Sequence, residues 1–216
     1  MKKQKPDYIY GVNPVMACLS AERRYMTKLY LNISEKPGAG GERQKQAPTN
    51  AKIEQIKEMA KKQGIKIKYM HKAKLSKFCG NRPHQNAVLK CSKLDYENIR
   101  SMRDLLGIKR NEEGQFDGEL PVGKFYLFLD QVTDPQNFGS ILRSAMFIGV
   151  DGVIVNKTNA CGLTPVVSKV SSGALEFIPL YNVKFIQHFF EDAKKAPLNF
   201  KVISTNLEDN SSDFVD

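Results

Sequence analysis

From residue 125 onward, short apolar runs alternate with amphipathic stretches of helical period, and this alternation restricts the fold more than any other feature of the chain. The apolar runs are Phe125 to Leu129, Gly152 to Val155, Glu176 to Leu180 and Phe200 to Ser204. Between them, Phe138 to Ile148, Pro165 to Ser172 and Lys184 to Lys195 place apolar residues three and four apart, as one helix face requires. Strands that are apolar throughout are buried on both faces, and helical crossovers between them make a parallel sheet. An α/β domain is therefore expected over residues 125–216. Ligands of such sheets sit beyond the carboxyl ends of the strands. That singles out the loops Asp130 to Gly139, Asn156 to Thr164 and the segment from Thr205.

The preceding sequence reads differently. Tyr8 to Gly11 predicts a strand and turn, followed by a helix with Pro14 in its first turn, where a missing N–H costs nothing. Lys28 to Leu31 predicts a second strand. Ile53, Ile56, Met59 and Ala60 recur at helical spacing, and Gly64 can close that helix. Ile65, Ile67 and Tyr69 then alternate with Lys66 and Lys68 as in a half-buried strand, and another strand follows at Asn86 to Cys91. Residues 1–94 thus form a separate α/β module. The Gly- and Pro-containing stretch between Glu35 and Asn50 predicts a loop, and 95–124 a connector with one short helix around Ile99 to Leu106.

The two halves also differ in charge. Residues 1–94 hold 21 Lys and Arg against 6 Asp and Glu, whereas residues 125–216 hold 7 against 10, within a chain of net charge +10. A one-sided cation excess suits a polyanion, since each phosphate neutralised releases counterions irrespective of base sequence. RNA or DNA is the expected partner of the first half. Cys18, Cys79, Cys91 and Cys161 lack the paired spacing of a zinc site or a disulfide framework, and His71, His84 and His188 lack ligand spacing, so no metal is expected. No apolar run reaches the roughly 18 residues of a membrane helix, and no membrane partner or targeting peptide is anticipated. Neither G-x-G-x-x-G nor a P-loop occurs, which argues against dehydrogenase and NTPase chemistry.

The segment from Asp130 to Gly149 carries the chemistry. Asp134-Pro135 makes a rigid turn, Asn137 can cap the following helix, Gly139 permits a close approach, and Arg143 can point into the same crevice as Asn137. Each feature alone is ordinary. Together they resemble the first signature of the SpoU-type ribose 2′-O-methyltransferases, D-x-x-x-D-P-x-N-x-G-x-I-x-R-x-A-x-x-x-G, with every fixed position met. Leu163 to Glu176 resembles the second signature, and the first half is similar to the L30e-like substrate-binding domain of these enzymes, including Gly11 and His84-Gln85. Gly149-Val150-Asp151 and Leu163 to Lys169 most resemble the branch that methylates guanosine in mitochondrial large-subunit rRNA.

The resemblance implies an L30e-like domain over 1–94, a linker over 95–124 and a SPOUT-type α/β-knot domain over 125–216. It implies transfer of a methyl group from S-adenosylmethionine to a ribose in rRNA, and a homodimer. Asn137, Arg143 and Glu176 would be catalytic, with Glu176 orienting Arg143 or RNA unless it is merely an exposed charge at the start of a strand. Thr205 would lie on the cofactor side, and His84, Gln85 and Arg143 would contact RNA. The family's third signature, a glycine-rich V-L-G-x-E-G strand and loop followed by S-L-N-V-S-V-A, is not found after Tyr181. The expectation is an incomplete knot domain, lacking the knot-forming segment, in which these residues alone bind the cofactor weakly or not at all. The alternative is a noncatalytic RNA-binding protein, or an inactive truncated isoform or fragment of such an enzyme.

Overall fold

The computed structural model describes residues 5–36, 48–110, 116–117 and 122–205. The first half builds one sheet from β1 (Asp7–Tyr10), β2 (Met26–Asn32), β3 (Lys66–Met70) and β4 (Ala87–Cys91), in lateral order β1-β4-β2-β3. The β2 and β3 strands are parallel, while β4 runs antiparallel to both its neighbours. Helices α1 (Val12–Ala21) and α2 (Pro48–Lys62) cover one face, burying Val15, Leu19, Ile53 and Ile56 against Ile9, Leu29, Leu31 and Leu89. On the opposite face α3 (Lys72–Phe78) packs Leu75 and the adjoining Cys79 over Tyr10, Tyr30 and Val88. Gly64, at φ +69°, ends α2 as expected. Its N–H reaches the Lys61 carbonyl and that of Ile65 the Ala60 carbonyl, the paired bonds of a Schellman motif.

The second half contributes β5 (Glu97–Ile99), α4 (Met102–Leu105), β6 (Lys109–Arg110), β7 (Phe116–Asp117) and β8 (Tyr126–Leu129). These are followed by α5 (Pro135–Ile148), β9 (Gly152–Asn156), α6 (Pro165–Val170), β10 (Leu180–Val183) and α7 (Ile186–Lys194). A second sheet has the order β5-β10-β9-β8, with β8 and β9 parallel from Tyr126↔Gly152 to Leu129↔Val155. The α/β class with a parallel sheet is thus as anticipated. Strand β9 is almost wholly buried, but β8 is only half-buried along its length, and Phe125, Met146, Phe147 and Ile148 beside it are exposed.

Compactness does not follow chain order. The described residues of 1–97 and 124–182 form one unit, and those of 98–123 and 183–216 form another. Within the first, Phe138, Leu142, Val153, Val155, Val167 and Leu175 make a core around α5, β9 and α6. Gly139 is what lets α6 approach α5: a Cβ there would lie 2.7 Å from that of Val170. The glycine of the signature serves helix packing. In the second unit α4 lies against α7, and Arg103 pairs with Asp192.

Three expected elements are corrected. The apolar run Glu176 to Leu180 is not a strand: Ala174–Glu176 is a 3₁₀ turn, and pairing begins at Leu180. Pro179 has no N–H for the ladder and contributes only its carbonyl, which accepts from Val153. Phe200 to Ser204 forms no strand either, because the Phe200 N–H returns to the Ala193 carbonyl at the end of α7 (2.9 Å). Ile99 to Leu106 divides into a strand and a short helix because Ser101 caps α4, its hydroxyl accepting from the Asp104 N–H (3.1 Å). Part of the loop expected between Glu35 and Asn50 lies outside the described residues, and its end is already helical from Pro48.

Candidate functional site

The amino end of α5 stands at the carboxyl end of β8, and its cap is Asp134 rather than Asn137. The Asp134 carboxylate accepts from the Asn137 backbone N–H (2.8 Å), and Pro135 follows at the first helical position. Asn137 lies in the first turn instead, exposed, with its carboxamide unpartnered among the described residues. Arg143 is also exposed and makes no ion pair among them. Arg143 is six positions past Asn137, so the two stand about 9 Å apart along the axis and about 120° apart around it. Arg143 lies past the middle of the 14-residue helix, so the two share neither its first turn nor one stripe. The Asp130 carboxylate accepts from the Asn156 side chain (3.4 Å), which ties the loop after β8 to that after β9.

Glu176 is placed elsewhere and is fully buried. Arg24 grips it with two bonds, Nε to Oε2 at 2.7 Å and Nη2 to Oε1 at 3.1 Å, while the Ser168 hydroxyl donates to Oε1 at 2.9 Å. The exposed-charge alternative is corrected: Glu176 is enclosed, and its oxygens accept from Arg24 and Ser168. Arg24 Nη1 also donates to Asp7 Oδ2 (3.0 Å) and to the Ser92 carbonyl (3.1 Å). Burial acts to lower the Arg24 pKa, but the hydrogen-bonded Glu176 carboxylate outweighs it and the guanidinium stays charged. For Asp7 the balance is opposite, burial raising its pKa against the pull of Arg24. Sequence reasoning missed Arg24 and Ser168. The one available signal was an Arg-Arg pair between a predicted helix and strand, which reads equally well as surface charge.

The first-half residues expected to touch RNA divide in two. His84 is 3% exposed; its Nδ1 accepts from the Asn86 N–H (3.1 Å), which leaves the Nε2–H to donate to the Ser76 hydroxyl at 3.2 Å. The ring is enclosed and supports the turn that carries Gln85. That turn runs from His84 to Ala87, with Gln85 and Asn86 both at positive φ and the Ala87 N–H bonded to the His84 carbonyl. Gln85 is exposed, and its Oε1 accepts from Lys169 Nζ (2.8 Å) and the Val12 N–H (3.2 Å). Gly11, at φ +97°, leaves room for Lys169, whose Nζ would be 2.4 Å from a Cβ there. Thr205 is exposed and lies in no strand.

Burial, with Lys72 and Lys169 in support, holds the His84 pKa below its usual 6.5. A group depressed in this way binds fewer protons folded than unfolded, so its contribution is complete above 6.5 and declines as pH falls towards the folded pKa. Urea unfolding between about pH 7.5 and pH 5 should show acid destabilisation that is weaker in His84→Gln. Equal slopes in the two proteins would remove His84 as its source.

Residues 8–97 match the RNA 2′-O ribose methyltransferase substrate-binding family, and residues 124–215 match the SpoU rRNA methylase family. The chain is 32% identical over 192 residues to the TrmH-family tRNA/rRNA methyltransferase YacO of Bacillus subtilis, covering 89% of this chain and 67% of YacO. It is 31% identical over 185 residues to human mitochondrial rRNA methyltransferase 1, covering 86% of this chain but 46% of the human protein. Its fold resembles that of the AdoMet-bound rRNA methyltransferase from Sinorhizobium meliloti, with a TM-score of 0.57 at 17% identity, over 84% of this chain and 56% of that one.

Proposed function

Because the chain belongs to the SpoU family of RNA 2′-O-ribose methyltransferases, we propose that it serves methyl transfer from S-adenosylmethionine to a ribose of large-subunit rRNA, with guanosine as the target nucleoside. The observation that carries this reading is the pair of open polar groups on α5. Asn137 and Arg143 are exposed on a helix whose start is set by Asp134 and whose packing is set by Gly139. The 2′-hydroxyl is a poor nucleophile, so positioning and charge control are the demands on the protein. A guanidinium can hold an RNA phosphate and stabilise the negative charge that develops on the 2′-oxygen as its proton leaves. The Asn137 carboxamide supplies a donor and an acceptor for the ribose or backbone beside it.

S-adenosylmethionine supplies the methyl group when bound. Thr205, the residue expected on its side, is exposed and outside any strand, and by itself does not make a wall for a cofactor. The division of labour we propose is RNA docking by 1–94, connection by 95–124 and methyl-transfer chemistry by 125–216, supported by where the two family matches fall. A homodimer is supported by the exposed apolar residues beside β8, and a mitochondrial setting by the human relative's name.

Arg143→Ala is expected to lower kcat/KM for transfer of tritiated methyl groups to an rRNA fragment by about 100-fold. Arg143→Lys should recover only part of it, because an ammonium lacks the planar fork. An unchanged melting temperature would exclude a folding defect. Parent-level activity in Arg143→Ala would remove Arg143 from the site, and a parent chain that binds rRNA without methylating it would favour the RNA-binding alternative.

A further inference from the structure

The face of the first sheet turned away from α1 and α2 is only partly covered. Helix α3 seals Tyr10, Tyr30 and Val88, whereas in the next row along the strands Tyr8, Lys28 and Lys90 are half-buried and Lys66 is exposed. Strand register sets Tyr8 opposite Lys90, Lys90 opposite Lys28, and Lys28 opposite Lys66, so the row reads Tyr8, Lys90, Lys28, Lys66 across the four strands. Lys68, beside Tyr30, adds a fourth ammonium one step along β3. Among the described residues none of these lysines takes part in an ion pair. Tyr8 is held at the end of the row by stacking on Phe78, with centroids 4.7 Å apart and planes 11° apart.

Three like charges side by side on neighbouring strands, with Cβ atoms about 5 Å apart, repel one another and destabilise the sheet. Lysines do guard edge strands against unwanted pairing. That accounts for Lys66 and Lys68 on β3, which is an edge, but not for Lys28 and Lys90, which lie on the inner strands β2 and β4. All four lie within the segment matching the substrate-binding family. We propose that this row is a phosphate-binding face for the backbone of the RNA substrate, separate from the Gln85 turn. The inference rests on the RNA reading of the first half. Adjacent strands are about 4.8 Å apart, so the lysine row spans roughly 10 Å and can engage successive phosphates without reading bases.

The test compares the full chain with K28Q/K66Q/K90Q and with a charge-matched control on the helical side, K36Q/K61Q/K62Q. Binding to a fluorescein-labelled RNA hairpin with a single-stranded loop is followed by anisotropy against salt. Loss of three phosphate contacts should reduce the slope of log affinity against log salt by about 2, and weaken binding by roughly tenfold or more at low salt. The control should change the slope little, and K28R/K66R/K90R should restore it. Melting temperature should not fall in the glutamine variant, because repulsion is relieved. Equal loss in the control, or a slope unchanged in the triple variant, would overturn the proposal while leaving RNA binding intact. Poly-glutamate competing as well as unlabelled RNA, charge for charge, would overturn RNA as the occupant. Absence of salt-dependent binding by the parent would overturn the RNA reading itself.

Discussion

Arg24→Ala should lower the free energy of unfolding by about 3–5 kcal/mol, because it leaves the Glu176 carboxylate buried without its counter-charge. Arg24 and Glu176 side chains are both fully buried, and Ser168 alone would remain on the carboxylate. For a chain of this size the loss corresponds to a fall in melting temperature of roughly 10 °C or more, readable by circular dichroism. Glu176→Leu should be comparably damaging, since it strands the guanidinium with Asp7 as its remaining acid. The double variant R24M/E176L should lose less than either single change, as buried pairs replaced by apolar groups often do. A single variant within about 1 kcal/mol of the parent would show that water reaches the pair, and that its geometry contributes little.

Gly173→Ala should cost about 3 kcal/mol or more, from two independent sources. Its φ of +97° is strained for any residue with a side chain, and a Cβ there would lie 2.4 Å from that of Ala17 on α1. Gly149→Ala separates the two effects. That glycine also has positive φ, +81°, but its Cβ position has nothing within 4 Å, so only the backbone strain of about 1 kcal/mol applies. The difference between the two urea midpoints measures the steric part. Equal midpoints would mean that α1 gives way to the added methyl group.

The periodic elements were legible because their signals are local. The spacing of Ile53, Ile56 and Ala60 predicts a helix face, and all three are completely buried. Gly139 was legible as a close approach, but the partner was not: Val170 lies 31 positions on, a separation no local pattern encodes. The same limit explains Glu176. Its apolar neighbours made it look like the start of a strand, while its fate depends on Arg24, brought to it by the packing of α1. Asn137 suits a cap because Asn is a good one; Asp134, three residues earlier, takes the position because Pro135 suits the first helical turn and a carboxylate accepts the free N–H. His84 and Gln85 are adjacent in sequence yet opposite in exposure, since two consecutive positive φ values turn one in and one out.

The contact of Gly173 with Ala17 has a bearing on how such proteins diversify. Ala17 belongs to the segment that matches the substrate-binding family and Gly173 to the segment that matches the methylase family. Gly173 has no side chain to give up to a larger residue at position 17, and a side chain at 173 would meet the Ala17 methyl group, so the two cannot drift separately. Chimaeras that graft the first half of a relative onto this second half should therefore fail unless the graft also carries a small side chain at the position of Ala17, however well that half folds alone.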